Sequence, residues 1–315
     1  MTLQQQIRAN RLRTIWLLFL FALLVGGLGL LLASVFEPSI LTVVAIAGLL
    51  YALFSWFAAG SMVSAMTGAQ RVEKRDHPQL YRTFENVAIA AGLEQTPELR
   101  LVQDGAPNAF AAGRDPRHSF VAVTTGLVEL MEPRELEGVL AHEVAHIRNR
   151  DVRLLTLVAL LVGVIALLAD VLLRVAFYGG GKRGSNPIIT VMAFAALLLA
   201  PVAGVVIQLA VSRRREYLAD ASAAEITNDA EGMALALRKL MLDQREIRNA
   251  SRATAHLYIE SPLRQASGPR ASLSGLFSTH PPLEKRIEAL EEAGGFRLSS
   301  PAGSVTAGSA RLRGA

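Results

Sequence analysis

Between Thr14 and Phe36 the chain carries no charged side chain, and its centre reads WLLFLFALLVGGLGLLLASV. In hydrocarbon every backbone N–H and C=O of such a segment must be satisfied internally, so it enters as a helix. About 20 apolar residues cover the bilayer core. A second uncharged stretch runs from Pro38 to Gln70 and is most apolar from Ile40 to Ala59. A third stays uncharged from Leu154 to Ala169, then carries Asp170 and Arg174, four apart and able to pair on one helix face. The fourth runs uncharged from Gly184 to Ser212 and contains Pro187 and Pro201, the latter expected to kink it. Four membrane helices in two hairpins follow. They explain a composition 51% hydrophobic and 19% charged, against roughly 45–50% and about 25% in soluble domains.

A basic flank before an apolar run also marks a cleaved signal peptide, and Arg8, Arg11 and Arg13 precede the first span. The run is long, however, no A-x-A site follows it, and a second span comes after only a few residues, so a retained anchor is expected. Cytoplasmic flanks are rich in Lys and Arg. That places the N-terminus in the cytoplasm, because the Phe36–Ser39 turn has no cation and carries Glu37. Arg71, Lys74 and Arg75, then Arg148, Arg150 and Arg153, then Arg213–Arg215 all fall on the same side, with Lys182 and Arg183 the one dissent. The net charge of 32 − 27 = +5 is thus read as topology, and no nucleic-acid partner is expected.

The chain has no cysteine, so a bound metal must rest on histidines and carboxylates. The first hydrophilic segment opens with an expected helix, Pro78–Leu93. Short β-like runs follow at Glu98–Val102, Ala109–Ala112 and Ser119–Thr124, and a strongly helical stretch starts at Pro133. That stretch contains His142-Glu143-Val144-Ala145-His146. On a helix the i and i+4 imidazoles share one face and can grip one zinc ion, with Glu143 beside them to take a proton from a metal-activated water. Val139, Leu140, Val144 and Ile147 surround the pair, so the helix is partly buried and its histidines need partners. A catalytic zinc wants a third protein ligand and one open position. Glu216 and Asp220, in SRRREYLAD (Ser212–Asp220), are four apart directly after the fourth span. They suit a ligand carboxylate and a carboxylate that orients a zinc histidine. In the second hydrophilic segment Ala230–Ile247 is expected to be helical. Pro281–Ala293 is a further helix, with Thr279 or His280 as its cap.

Taken together, AHEVAHIRNRD (Ala141–Asp151), SRRREYLADASAA (Ser212–Ala224), PNAFAAG (Pro107–Gly113) and STHPPLEKRI (Ser278–Ile287) resemble the HtpX-type membrane-embedded zinc metalloproteases. More distantly, they resemble the CAAX prenyl proteases of the same superfamily. The resemblance implies that His142, His146 and Glu216 bind one zinc per chain and that Glu143 is the general base. It also implies a bacterial inner-membrane protease, facing the cytoplasm, that cleaves misfolded or damaged membrane proteins and itself.

The expected fold is a mainly α membrane protein, four transmembrane helices plus a cytosolic zincin-like α+β domain with a small β-sheet. Its expected divisions are residues 1–70, arm and first hairpin; 71–153, first catalytic half with the zinc helix; 154–212, second hairpin; 213–298, second catalytic half; and 299–315, a disordered tail. An odd number of spans between His146 and Glu216 would put the ligands on opposite sides of the bilayer, so the two later segments both span or neither does. His146 lies eight residues before Leu154 and Glu216 four beyond Ser212. At about 1.5 Å per helical residue the zinc is expected within about 10–15 Å of the headgroups. His280 is a candidate oxyanion donor, and Asn108, Ala109 and Phe110 a candidate edge strand for substrate. Competing readings are a CAAX-type prenyl protease and a membrane scaffold holding zinc structurally, which would need a fourth ligand, Asp220 or His280.

Overall fold

The computed structural model describes residues 39–162, 213–243, 257–259 and 281–298, with scattered single positions elsewhere. Most of the first expected span, all of the fourth, much of the third, the Lys182/Arg183 turn, His280 and the 299–315 tail lie outside the described residues. Helix α1 covers Ser39–Thr67 and leads into β1, Gln70–Arg71. Helix α2 (Pro78–Ala90) starts on proline at its first turn, where the missing N–H is no loss, and the chain turns away at Gly92 with φ +70°. Strands β2 (Glu98–Val102), β3 (Ala109–Gly113) and β4 (Ser119–Thr124) fall on the three expected runs. The short helix α3, Thr125–Leu130, follows with Thr124 as its cap.

The zinc-motif helix α4 covers Pro133–Arg148. It begins where Glu135 turns back to accept the Glu132 N–H at 2.8 Å, and residues 152–162 resume as helix. In the second segment α5 covers Arg213–Thr227, α6 Ala230–Leu242 and α7 Leu283–Gly294. The expected cap of the last helix is wrong: Pro282 is its N-cap, and neither Thr279 nor His280 starts it. A residue before proline is pushed out of the α region, so Pro281-Pro282 delays the first turn to Leu283. The helix expected over Ala230–Ile247 likewise ends early, at Leu242.

The sheet order is β1-β2-β4-β3. β1 pairs antiparallel to β2, β2 parallel to β4 with Leu99 opposite Val121, and β3 antiparallel to β4 with Ala111 opposite Val121. Successive strand residues point to opposite faces, and here both faces are covered. Leu99, Leu101, Ala109, Ala111, Val121 and Val123 join a core built from α4 and α6, with Ile287 and Leu290 of α7. Buried residues of both hydrophilic segments, from Val72 to Val152 and at Ala223, Met233, Leu237, Ile259, Ile287 and Leu290, therefore share one hydrophobic core. On the other face Phe110, Ala112, Phe120 and Ala122 pack with Val63 of α1, Leu155, Ala159 and Tyr258. Double coverage explains why β3 and β4 are buried at every position, with apolar residues on both faces rather than alternating. Helices α4 and α6 approach closely, since a Cβ on Gly138 would stand 3.0 Å from the Met233 Cα.

Counted over the described residues alone, no helix is long and apolar enough to cross a membrane. Helix α1 is 29 residues long and uncharged. Many of its side chains lie outside the described set, and among those described Leu49, Leu50, Phe54 and Phe57 are exposed.

Candidate metal centre

Helix α4 lies on the sheet with Val139, Leu140, Val144 and Ile147 fully buried, which turns His142, Glu143 and His146 into the interior of the domain. Helix α5 packs across it and brings Glu216 to the same place. His142 Nε2 lies 3.3 Å from His146 Nε2, 3.8 Å from Glu216 Oε2, and His146 Nε2 lies 3.7 Å from Glu216 Oε1. One ligand atom from each of the three residues lies within 4.8 Å of the others. Helical spacing placed each pair on one face, and packing of α4 against α5 closed the triangle.

The outer ring nitrogens decide what this triangle can hold. His142 Nδ1 lies 2.9 Å from Asp220 Oδ1, and His146 Nδ1 lies 3.2 Å from Asp151 Oδ2. A carboxylate at Nδ1 keeps a proton there and leaves Nε2 a bare acceptor. Two bare nitrogens and a carboxylate facing one another repel unless a cation sits between them, and this donor set suits zinc. Without a metal, a proton must serve. Burial works against it, but Asp151, Glu216 and Glu143 raise the His146 pKa to about 9. Burial and the Arg286 charge hold His142 down at about 4, against the pull of Asp220.

Asp151 was not singled out from the sequence, although it closes the AHEVAHIRNRD run. Its place comes from the end of α4, where Arg150 adopts φ +59°, Arg150 N–H donates to Ile147 O, and Asp151 N–H donates to His146 O. This left-handed reversal folds the chain back so that Asp151, fully buried, meets the imidazole one turn earlier.

Glu143 is 2% exposed and accepts the N–H of Ala111 on β3. In the metal-free site burial, reinforced by the charge of Glu216, moves its pKa up to about 7. β3 is an edge strand, and its backbone groups at Ala109 and Ala111 face away from β4. Asn108 Oδ1 accepts the Ala109 N–H at 3.0 Å, and the Ala109 carbonyl accepts from Ile259 N–H at 3.0 Å. Phe110 points to the opposite face, edge-to-face with Phe120 and Tyr258. The segment Leu257–Ile259 thus already lies on the strand edge, which nothing in the sequence indicated.

Arg286 was likewise missed. It is fully buried and donates to both Asp220 oxygens, from Nε at 2.8 Å and from Nη2 at 2.7 Å. A helix rich in charge, LEKRIEALEEAG, offers no local sign that one of its cations points inward.

The model of peptidase family M48 matches residues 74–294. The chain is 42% identical over 291 residues to a protease HtpX homolog of Tropheryma whipplei, covering 91% of this chain and 97% of that protein. It is 40% identical over 305 residues to one of Lactobacillus helveticus, covering 92% and 99%. Against one of Listeria monocytogenes it is 39% identical over 305 residues, covering 91% and 98%. A weaker likeness in shape is to the crystal structure of S. mikatae Ste24p, with TM-score 0.48 and 18% identity over 92% of this chain and 66% of that one. The matched span contains the two histidines, the glutamates and the arginine that converge beneath the β3 edge, and the chain belongs to peptidase family M48, as a zinc-dependent metalloprotease.

Proposed function

We propose that the chain is a membrane-embedded zinc endopeptidase that cuts misfolded or damaged membrane proteins, and itself, on the cytoplasmic side of a bacterial inner membrane. The observation that carries the catalytic part is the pair of Nε2 atoms 3.3 Å apart, each ring met at Nδ1 by its own carboxylate, with Glu143 at the strand edge. His142, His146 and Glu216 hold the metal, and Asp220 and Asp151 orient the histidines. When bound, zinc supplies Lewis acidity, acidifying water and polarising the scissile carbonyl. Glu143 accepts the proton of the attacking water and returns it to the leaving amine. The β3 edge at Asn108–Phe110 receives the substrate as an added strand, so main-chain bonds position an unfolded segment. His280, outside the described residues, is kept as the proposed second donor to the oxyanion on the sequence reading alone.

The membrane part rests on the four uncharged stretches of the sequence, and the exposed Leu49, Leu50, Phe54 and Phe57 of α1 suit lipid. Its last turns pack through Val63 onto the same sheet, which favours a site close to the bilayer and substrates that emerge from it. A closed structural zinc site is disfavoured: the fourth ligand it would draw from Asp220 is engaged on both oxygens by Arg286. The test compares the full-length protein with Glu143→Gln, each loaded with zinc, on an unfolded casein-like substrate and on itself. Cleavage is expected to fall about 10²- to 10⁴-fold with zinc retained. Equal cleavage by both proteins would defeat the assignment.

A further inference from the structure

Among the described residues Arg286 heads the fully buried side chains by size, and its partner Asp220 lies 66 residues away in sequence. A guanidinium stays charged in proteins, and burying it is costly unless its donors and charge are matched. Here the matching is specific. Nε and Nη2 form a fork onto Asp220, and Nη1 donates to the Ile259 carbonyl at 3.3 Å. Nη1 also lies 3.6 Å from Glu216 Oε2, and Nη2 lies 3.4 Å from the His142 ring at Nε2. Asp220 Oδ1, held by Nη2, is the same atom that meets His142 Nδ1 at 2.9 Å.

We propose that Arg286 is a positioning residue for the metal site: its two-pronged grip fixes the rotamer of Asp220, which keeps the proton of His142 on Nδ1 and aims Nε2 at the metal. A carboxylate held by one contact can rotate. Held by two parallel bonds it has a fixed plane, and the imidazole it meets inherits that plane. The bland alternative is a clamp that only fastens α7 to α5, and such a clamp would leave metal affinity and coordination geometry unmoved in any variant that folds.

This inference rests on the zinc reading above. The experiment uses the full chain in detergent and measures zinc affinity by chelator competition, together with the visible absorption of the cobalt-substituted protein. Arg286→Met, similar in length and apolar, is expected to weaken zinc about 10- to 100-fold and to change the cobalt bands. Arg286→Lys, a point charge without the fork, is expected to recover only part of the affinity. In an Asp220→Asn background Arg286→Met is expected to add little, because the route runs through Asp220. Wild-type affinity and cobalt bands in the Met variant would overturn the proposal, as would a full additional loss in the Asp220→Asn background. If the Met variant does not fold, the Lys variant decides in the same way, with wild-type affinity and bands overturning it. Wild-type protein that takes up no zinc would instead remove the underlying reading.

Discussion

His146 is buried, which by itself disfavours an imidazolium, yet Asp151 at 3.2 Å and the charges of Glu216 and Glu143 carry its pKa up to about 9. In the metal-free protein this has a definite sign. A group whose folded pKa exceeds its unfolded value of about 6.5 contributes stability that is fully present below pH 6.5 and is lost as pH rises through about 9. Asp151→Asn removes the main support of that charge. The metal-free variant is therefore expected to show a smaller loss of thermal stability than the metal-free wild type between pH 6.5 and 9.5. Identical profiles would exclude Asp151 as the cause. His142 and His146 were legible in the sequence because i, i+4 spacing is a local property of a helix. Asp151 was not, because its approach depends on the left-handed turn at Arg150, which no glycine announces.

The β3 strand and the Leu257–Ile259 segment belong together as elements. Substrate laid along the β3 edge must take the Ala109 carbonyl from Ile259 and displace a segment whose three side chains are all buried. Weakening that contact should help substrate. Ile259→Pro deletes the donor, and loss of one hydrogen bond of ~1 kcal/mol is expected to lower the KM for an unfolded substrate about fivefold. Steady-state kinetics with Tyr258→Ala as a parallel variant checks this, and an unchanged or raised KM in both would refute the displacement. β2, β3 and β4 could be read from runs of β-branched and apolar residues between turn dipeptides. The two-residue β1 and the six-residue α3 have too little pattern to register. The covering of the edge is a contact over about 150 residues of sequence, which has no local signature at all.

On the scale of the whole molecule, the metal site joins segments far apart in the chain. Glu216 comes from α5, the histidines from α4, and Arg286 from α7, and all three helices share one core with the sheet. A ligand that binds only the folded state stabilises it by RT ln(1 + [L]/Kd), about 4 kcal/mol at a thousandfold excess over Kd. Because the ligands bridge both halves, removing zinc with a chelator is expected to lower the melting temperature of the whole catalytic domain in one cooperative step. Calorimetry in detergent checks this, and melting of one half alone would contradict the shared core.

Sequence by itself determined the four uncharged stretches, the pairs His142/His146 and Glu216/Asp220, and the positions of three strands. Each follows from charge or from helical and strand periodicity within a few residues. Tertiary structure alone decided that α4 and α5 cross so that the two pairs meet, that Asp151 and Arg286 turn inward, and that Leu257–Ile259 lies on the β3 edge. Those placements depend on which faces bury against one another, and the free energy that selects them is summed over the core rather than written in any one segment.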